Sequence, residues 1–180
     1  EITNCAAEPG LDPRVAYLIS NILSDNSART PAFGSNSDLN VPNVAVKTGT
    51  TNNLRDNWTI GYTPNRLVAV WVGNNDNSSM SYVASGVTGA SPIWRRITNE
   101  LLKTTPSTGF ASPANLLKVN ICTLTGQLAC EGCPVRSEYF LPGTEPKTAC
   151  SKEAIEKLLE EKAKKEQEER DKILQGIHEP

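Results

Sequence analysis

VAVKTGTT at residues 44–51, followed by NWTIGYT at 57–63 and LVAVWV at 67–72, reads as three consecutive strands. The first is short and follows Pro42-Asn43, a turn-forming pair. The second is aromatic and β-branched, the composition that suits a pleated surface. The third is a continuous apolar run, which predicts a strand buried on both faces. Thr63-Pro64-Asn65-Arg66 supplies a turn between the last two, so they form an antiparallel hairpin. Strand alternation puts Lys47 and Gly49 on one face of the first strand, and Thr48 and Thr50 on the other.

Helical signals flank this block. Asp12-Pro13 pairs an N-cap acceptor with proline at the first helical position. Val15, Leu18, Ile19, Ile22 and Leu23 then recur at helical spacing, which predicts a helix over residues 13–24. A polar, glycine-containing loop is expected over residues 26–43. Downstream, Ser91-Pro92 repeats the cap-plus-proline signal, and Ile93, Trp94, Ile97, Leu101 and Leu102 form the expected buried face of a second helix. The order helix, three strands, helix predicts an α/β fold of the α+β type, with an antiparallel sheet flanked by helices. Half of such a sandwich would leave apolar faces uncovered.

Four segments are expected. The sheet and its helices fill residues 1–104, and 105–114 form a linker of Pro, Ser, Thr and Gly. A small cysteine-rich subdomain with few strands covers 115–150, where Val119 and Ile121 alternate and Thr125-Gly126 marks a turn. A charged tail covers 151–180, with a helix over 152–175. That tail holds about half of the chain's Asp and Glu residues. Its apolar positions Ile155, Leu158 and Leu159 are separated by a polar stretch from Ile173, Leu174 and Ile177, so a solvated single helix is expected rather than a coiled coil.

Net charge is −2, with no basic face, which argues against nucleic acid as a partner. No apolar run approaches the roughly 20 residues a membrane-spanning helix needs. Because Glu1 opens the chain and Met80 is its only methionine, the 180 residues read as a piece of a longer protein.

Five cysteines are an odd number: Cys5, Cys122, Cys130, Cys133 and Cys150. The last four are close in sequence and suggest a local staple, either disulfides or zinc. A zinc ribbon usually offers two C-x-x-C knuckles, whereas only Cys130 to Cys133 fits here, and the sole histidine, His178, lies in the polar tail. Disulfides are the expected staple and no metal is assigned. The preferred links are Cys133 to Cys150, flanking YFLPGTEP, and Cys122 to Cys130, although four cysteines allow three pairings. Cys5 is expected to be unpaired, as a small apolar residue.

Lys-Thr-Gly alone is a weak signal; its setting is more specific. A short strand ending in K-T-G, after an amphipathic helix and before a hairpin and closing helix, resembles the penicillin-binding proteins and serine β-lactamases, whose third signature is K-[ST]-G. DPRVAYLISNIL, DNWTIGYTP, LVAVWVG and GASPIWRRI are similar to the C-terminal part of the transpeptidase domain of class A (bifunctional) penicillin-binding proteins. A weaker likeness continues through ICTLTGQLAC and CPVRSEYFLPGTEP. The fold implied is a truncated domain of that family, followed by the cysteine-rich extension and the charged helix.

The resemblance implies roles for four residues. Lys47 supplies fixed positive charge to the cleft. Thr48 and Thr50 offer hydroxyls to the terminal carboxylate of a peptide, and the Thr50 backbone N–H is one oxyanion-hole donor. Gly49 lets substrate or a neighbouring helix approach the backbone. The implied reaction is acyl transfer through a serine: the D-Ala-D-Ala carbonyl of a stem peptide is attacked, D-alanine leaves, and an amine of a second stem takes the acyl group. β-Lactams would acylate the same serine. No cofactor is implied; the location would be extracytoplasmic, with membrane anchoring through a segment absent from these residues.

Two family signatures are missing. No serine has lysine three residues later, so the S-x-x-K nucleophile is absent and the fragment alone is expected to be inactive. Ser24-Asp25-Asn26 fits S-x-N literally, but it lies too close to Lys47, and Asn26 is read as a helix C-cap. Trp58, Trp71 and Trp94 are read as core packing, and Asp56 as a turn or ion-pair residue. Ser78, Ser79 and Ser81 are read as loop serines without a histidine partner. Two competing readings are a non-catalytic peptide- or carboxylate-binding module built on the same fold, and a β-lactamase remnant.

Overall fold

Asp12 starts the first helix as its side chain accepts the Arg14 backbone N–H at 2.8 Å. In the computed structural model, which describes residues 10–80 and 88–177 and only the helical backbone of 174–177, this helix, α1, spans Pro13–Ser24. Cys5, Ser81, His178 and the side chains of Leu174 and Ile177 lie outside the described residues. Hydrogen bonding from the Arg14 side chain, and then from its backbone, holds the Asp12 carboxyl down to about 2.

The segment expected to be a polar loop begins instead with a second helix, α2 (Asn26–Phe33). Asp25 ends α1 and caps α2, accepting backbone N–H bonds from Ser27 at 2.8 Å and Ala28 at 3.2 Å. Asn26 therefore opens α2 rather than capping α1. This helix is polar, carries Pro31 in its interior and buries no residue, so no apolar period announced it.

Strands β1 (Ala45–Thr50), β2 (Asp56–Tyr62) and β3 (Leu67–Gly73) form one antiparallel sheet in the order β1-β2-β3. The register sets Thr48 against Thr59 and Thr59 against Val70. The turn between β2 and β3 is closed by Thr63 N–H donating to Arg66 O at 2.8 Å. β3 is not buried on both faces: Val68 and Val70 are in the core, while Leu67 and Trp71 are exposed on the other side. Trp58 and Trp71, 40% and 41% exposed, likewise depart from the expected core role. They share the outer face with Ile60, Lys47 and Gly49, as the register dictates.

The inner face packs on α3 (Ala90–Thr104). This helix begins one residue before the expected Ser91 cap. Asn57, fully buried, accepts the Ala90 backbone N–H at 2.9 Å and so satisfies a free donor of the first turn. Ser91 is itself buried, its hydroxyl 2.9 Å from that of Thr59. Ala90, Trp94, Thr98 and Leu102 recur every fourth residue and face the sheet. Ile93, Ile97 and Leu101 are exposed, correcting their assignment to the buried face. Trp94 explains the difference. Its ring lies over Gly61, where an added Cβ would overlap it, so the helix is rotated to seat the tryptophan against a residue without a side chain. The core around it is Leu39, Val41, Val44, Val46, Val68 and Val70.

The chain divides into two compact units, Glu1–Pro113 and Ala114–Pro180. In the second, β4 (Leu117–Cys122) pairs antiparallel with β5 (Val135–Phe140). Helix α4 (Lys152–Ile177) follows, largely exposed, with Ile155 buried and Lys152–Glu156 and Lys162–Glu166 pairs one turn apart at 3.9 and 4.0 Å. Cys130 is bonded to Cys150, and Cys122 and Cys133 carry thiols. The expected Cys133–Cys150 and Cys122–Cys130 links are therefore not the pairing. Backbone pairing accounts for this: Leu128 N–H donates to Thr148 O at 3.0 Å and Cys150 N–H to Leu128 O at 2.8 Å. Those bonds lay residues 128–130 alongside 148–150 and bring Cys130 to Cys150 with their Cα atoms 5.4 Å apart.

Candidate site at the edge of the sheet

β1 is an edge strand, and its pairing fixes which amides it leaves open. Thr51 N–H donates to Asp56 O at 3.0 Å. Amide groups alternate along an antiparallel strand, so Lys47 and Gly49 also turn theirs towards β2. Val46, Thr48 and Thr50 consequently direct backbone N–H and C=O away from the sheet. The sequence therefore presents, on one open edge, two threonine amides alternating with a lysine and a glycine.

Lys47 and Thr48 line a groove of about 220 Å³ whose other walls include Ile22 and Leu23 of α1, and Asp25, Ala28 and Arg29. Lys47 Nζ donates to Thr48 O at 2.6 Å, so the ammonium lies along the open edge. Arg29 is the residue that sequence reasoning missed. Its guanidinium donates to Leu39 O at 2.8 Å and also to Leu23 O. Burial pushes its pKa down and nearby Asp25 opposes that. Arg29 brings a second cation to the groove while tying α1 to the segment before β1. It could have been found only by seeing that residues 26–33 are helical.

Gly49 has no crowding neighbour: an added Cβ would meet only Trp58 Cβ, at an ordinary 3.8 Å. Among the described residues nothing else lies within 4 Å of that position. Asp56 serves the adjoining loop. It accepts the Trp71 indole N–H at 2.8 Å and the Thr51 hydroxyl at 3.3 Å, while its own N–H donates to Thr51 Oγ1 at 2.8 Å. These bonds close the turn after β1, in which Asn53 and Leu54 adopt left-handed φ values of 62° and 53°.

The literal S-x-N is used locally. Ser24 donates its hydroxyl to Asn21 O at 3.0 Å, Asn26 donates its amide to Ser35 O at 3.0 Å, and neither lines the Lys47 groove. Ser78 is likewise a loop residue, its hydroxyl donating to Asp76 at 2.7 Å.

An antiparallel sheet between helices, with K-T-G on its open edge, is an arrangement of the penicillin-recognising class. Residues 112–154 match the family model described as "Penicillin-binding protein 1A, C-terminal domain". The chain belongs to the class A penicillin-binding proteins and corresponds to a C-terminal part of them. Among particular relatives, penicillin-binding protein 1A of Escherichia coli (strain K12) is 31% identical over 151 residues, covering 73% of this chain and 18% of that protein. Penicillin-binding protein 1A of Clostridium tetani is 30% identical over 154 residues, covering 81% and 19%. The crystal structure of penicillin-binding protein 1A from Haemophilus influenzae superposes with a TM-score of 0.56 at 28% identity, over 81% of this chain and 20% of that one. The chain thus spans about a fifth of the length of these relatives.

Proposed function

We propose that the Lys47–Thr50 edge is the substrate-gripping wall of a peptidoglycan DD-transpeptidase site. The observation that carries this reading is the open edge itself: Thr48 and Thr50 turn their amides away from β2, and Lys47 sits beside them on a groove. An extended peptide laid along such an edge gains main-chain hydrogen bonds of the strand-addition type. Its terminal carboxylate meets the Lys47 ammonium and the two threonine hydroxyls. The Thr50 N–H faces the same space and stabilises the oxyanion that develops when the peptide carbonyl is attacked. Gly49 keeps that approach clear.

The nucleophilic serine comes from a segment of the longer protein outside these residues. It attacks the penultimate D-alanine carbonyl of a D-Ala-D-Ala stem, D-alanine leaves, and the amine of a neighbouring stem takes the acyl group, regenerating the serine. β-Lactams acylate the same serine. The longer protein works outside the cytoplasm, anchored by a segment beyond this chain; among the described residues no helix is long and apolar enough to cross a membrane.

Fluorescent penicillin tests the reading. The isolated 180 residues are expected to remain unlabelled and the longer protein to be labelled. Covalent labelling of the isolated chain would show a nucleophile that this account does not contain.

A further inference from the structure

The second unit brings four sulfurs together from three separate segments. Cys122 ends β4, Cys130 and Cys133 bracket a turn in which Gly132 has a left-handed φ of 79°, and Cys150 precedes α4. The Sγ atoms of Cys122, Cys133 and Cys150 all lie within 4.8 Å of one another, and Cys130 is bonded to Cys150. One disulfide uses two of these sulfurs and leaves two thiols held against it. A tetrahedral tetrathiolate with Zn–S near 2.3 Å places its sulfurs about 3.8 Å apart. Once the Cys130–Cys150 bond is opened, side-chain adjustments of about 1 Å separate this cluster from that geometry.

Two further observations point to a ligand set rather than a chance meeting of thiols. The backbone donates to the sulfurs: Cys130 N–H to Cys133 Sγ at 3.3 Å, and Leu124 and Thr125 N–H to Cys122. Moreover, the unit has little else for a core. Among the described residues its buried apolar ones are Cys122, Cys150 and Ile155, with Leu124, Cys130 and Cys133 packed beside them. A unit this poor in apolar mass needs a covalent or metal staple. An open hollow of about 600 Å³, lined by Cys130, Glu131 and Glu156, reaches the cluster at Cys130.

We propose that the reduced second unit binds one Zn²⁺ through Cys122, Cys130, Cys133 and Cys150, as a state alternative to the Cys130–Cys150 disulfide. The two states share sulfurs and exclude each other. An added phosphine splits the disulfide, giving two thiols while the phosphine takes oxygen from water and leaves as its oxide. Zinc then displaces four protons from the four thiols.

The test uses the full 180-residue chain, reduced with a phosphine and kept free of oxygen. Titration with Co²⁺ is expected to saturate at one equivalent, with the sulfur-to-cobalt charge-transfer band and intense visible bands of a tetrahedral thiolate site; Zn²⁺ then displaces the cobalt. Cys122→Ser and Cys133→Ser each lower the affinity by at least ~100-fold, the upper end of what losing a mere outer-shell partner costs. Cys5→Ser leaves the uptake unchanged. Alkylation of the unsubstituted chain needs no variant: zinc protects four thiols from iodoacetamide. Absence of saturable uptake by the reduced chain, uptake retained in both serine variants, or fewer than four protected thiols would overturn the proposal.

Discussion

The two units hold themselves together by different chemistry. The first buries a continuous apolar core in which Trp94 and four valines, Val44, Val46, Val68 and Val70, lie between sheet and helix. In the second, two of the three buried core residues among those described are cysteines. Order in the first follows from side-chain shape and area, and order in the second from bonds to sulfur. Solvent conditions should therefore separate them, since redox state acts on one core and leaves the other alone. The proposed substrate edge belongs to the unit whose geometry is set by packing.

The largest expected effect lies in the first core. Trp94→Ala removes the ring seated on Gly61 and should destabilise that unit by about 3–5 kcal/mol, read by urea unfolding. Loss of well below 1 kcal/mol would mean that Trp94 is not the keystone of the packing. Cys130→Ser opens a loop of 20 residues and should cost about 3 kcal/mol, read as lost hydrogen-exchange protection in β4 and β5 with β2 and β3 unchanged. Loss of protection in both units together would erase the contrast. Gly61→Ala introduces a methyl into space held by Trp94 and should cost about 1–3 kcal/mol.

The smallest expected effect is electrostatic. The folded Asp12 carboxyl sits at about 2, below its ordinary 3.8. Its stabilising share is complete above the ordinary value and is lost as pH falls towards 2. A carboxyl NMR titration of Asp12 should show a midpoint near 2. In Arg14→Ala that midpoint should move back up, and a midpoint that stays put would remove Arg14 as the cause.

Much of the first unit was legible because its signals are local. Asp12-Pro13 fixed the start of α1, and the turn at Thr63-Pro64 with strand alternation gave the hairpin and the facing of Lys47 and Gly49. What failed depended on neighbours. Apolar periodicity treats Ile93, Ile97 and Trp94 alike, but only Trp94 finds a glycine to receive it. α2 rests on the Asp25 cap rather than on amphipathic spacing, so its helix, and with it the Arg29 wall of the groove, stayed hidden. β5 is VRSEYF, largely polar and exposed, and becomes a strand through pairing with β4. The cysteine pairing was set by the Leu128 and Ala149 bridge, a contact between distant segments that spacing does not encode.

The central claim is that the open edge from Lys47 to Thr50 grips an anionic peptide end beside a serine supplied from elsewhere. The direct measurement is the rate of fluorescent-penicillin acylation in the longer protein carrying Lys47→Ala, with thermal unfolding monitored alongside. The account predicts a rate lower by about 10²–10³ with unfolding unchanged, the scale of losing a fixed charge or donor at a developing oxyanion. An unaltered acylation rate in a folded Lys47→Ala protein would contradict it.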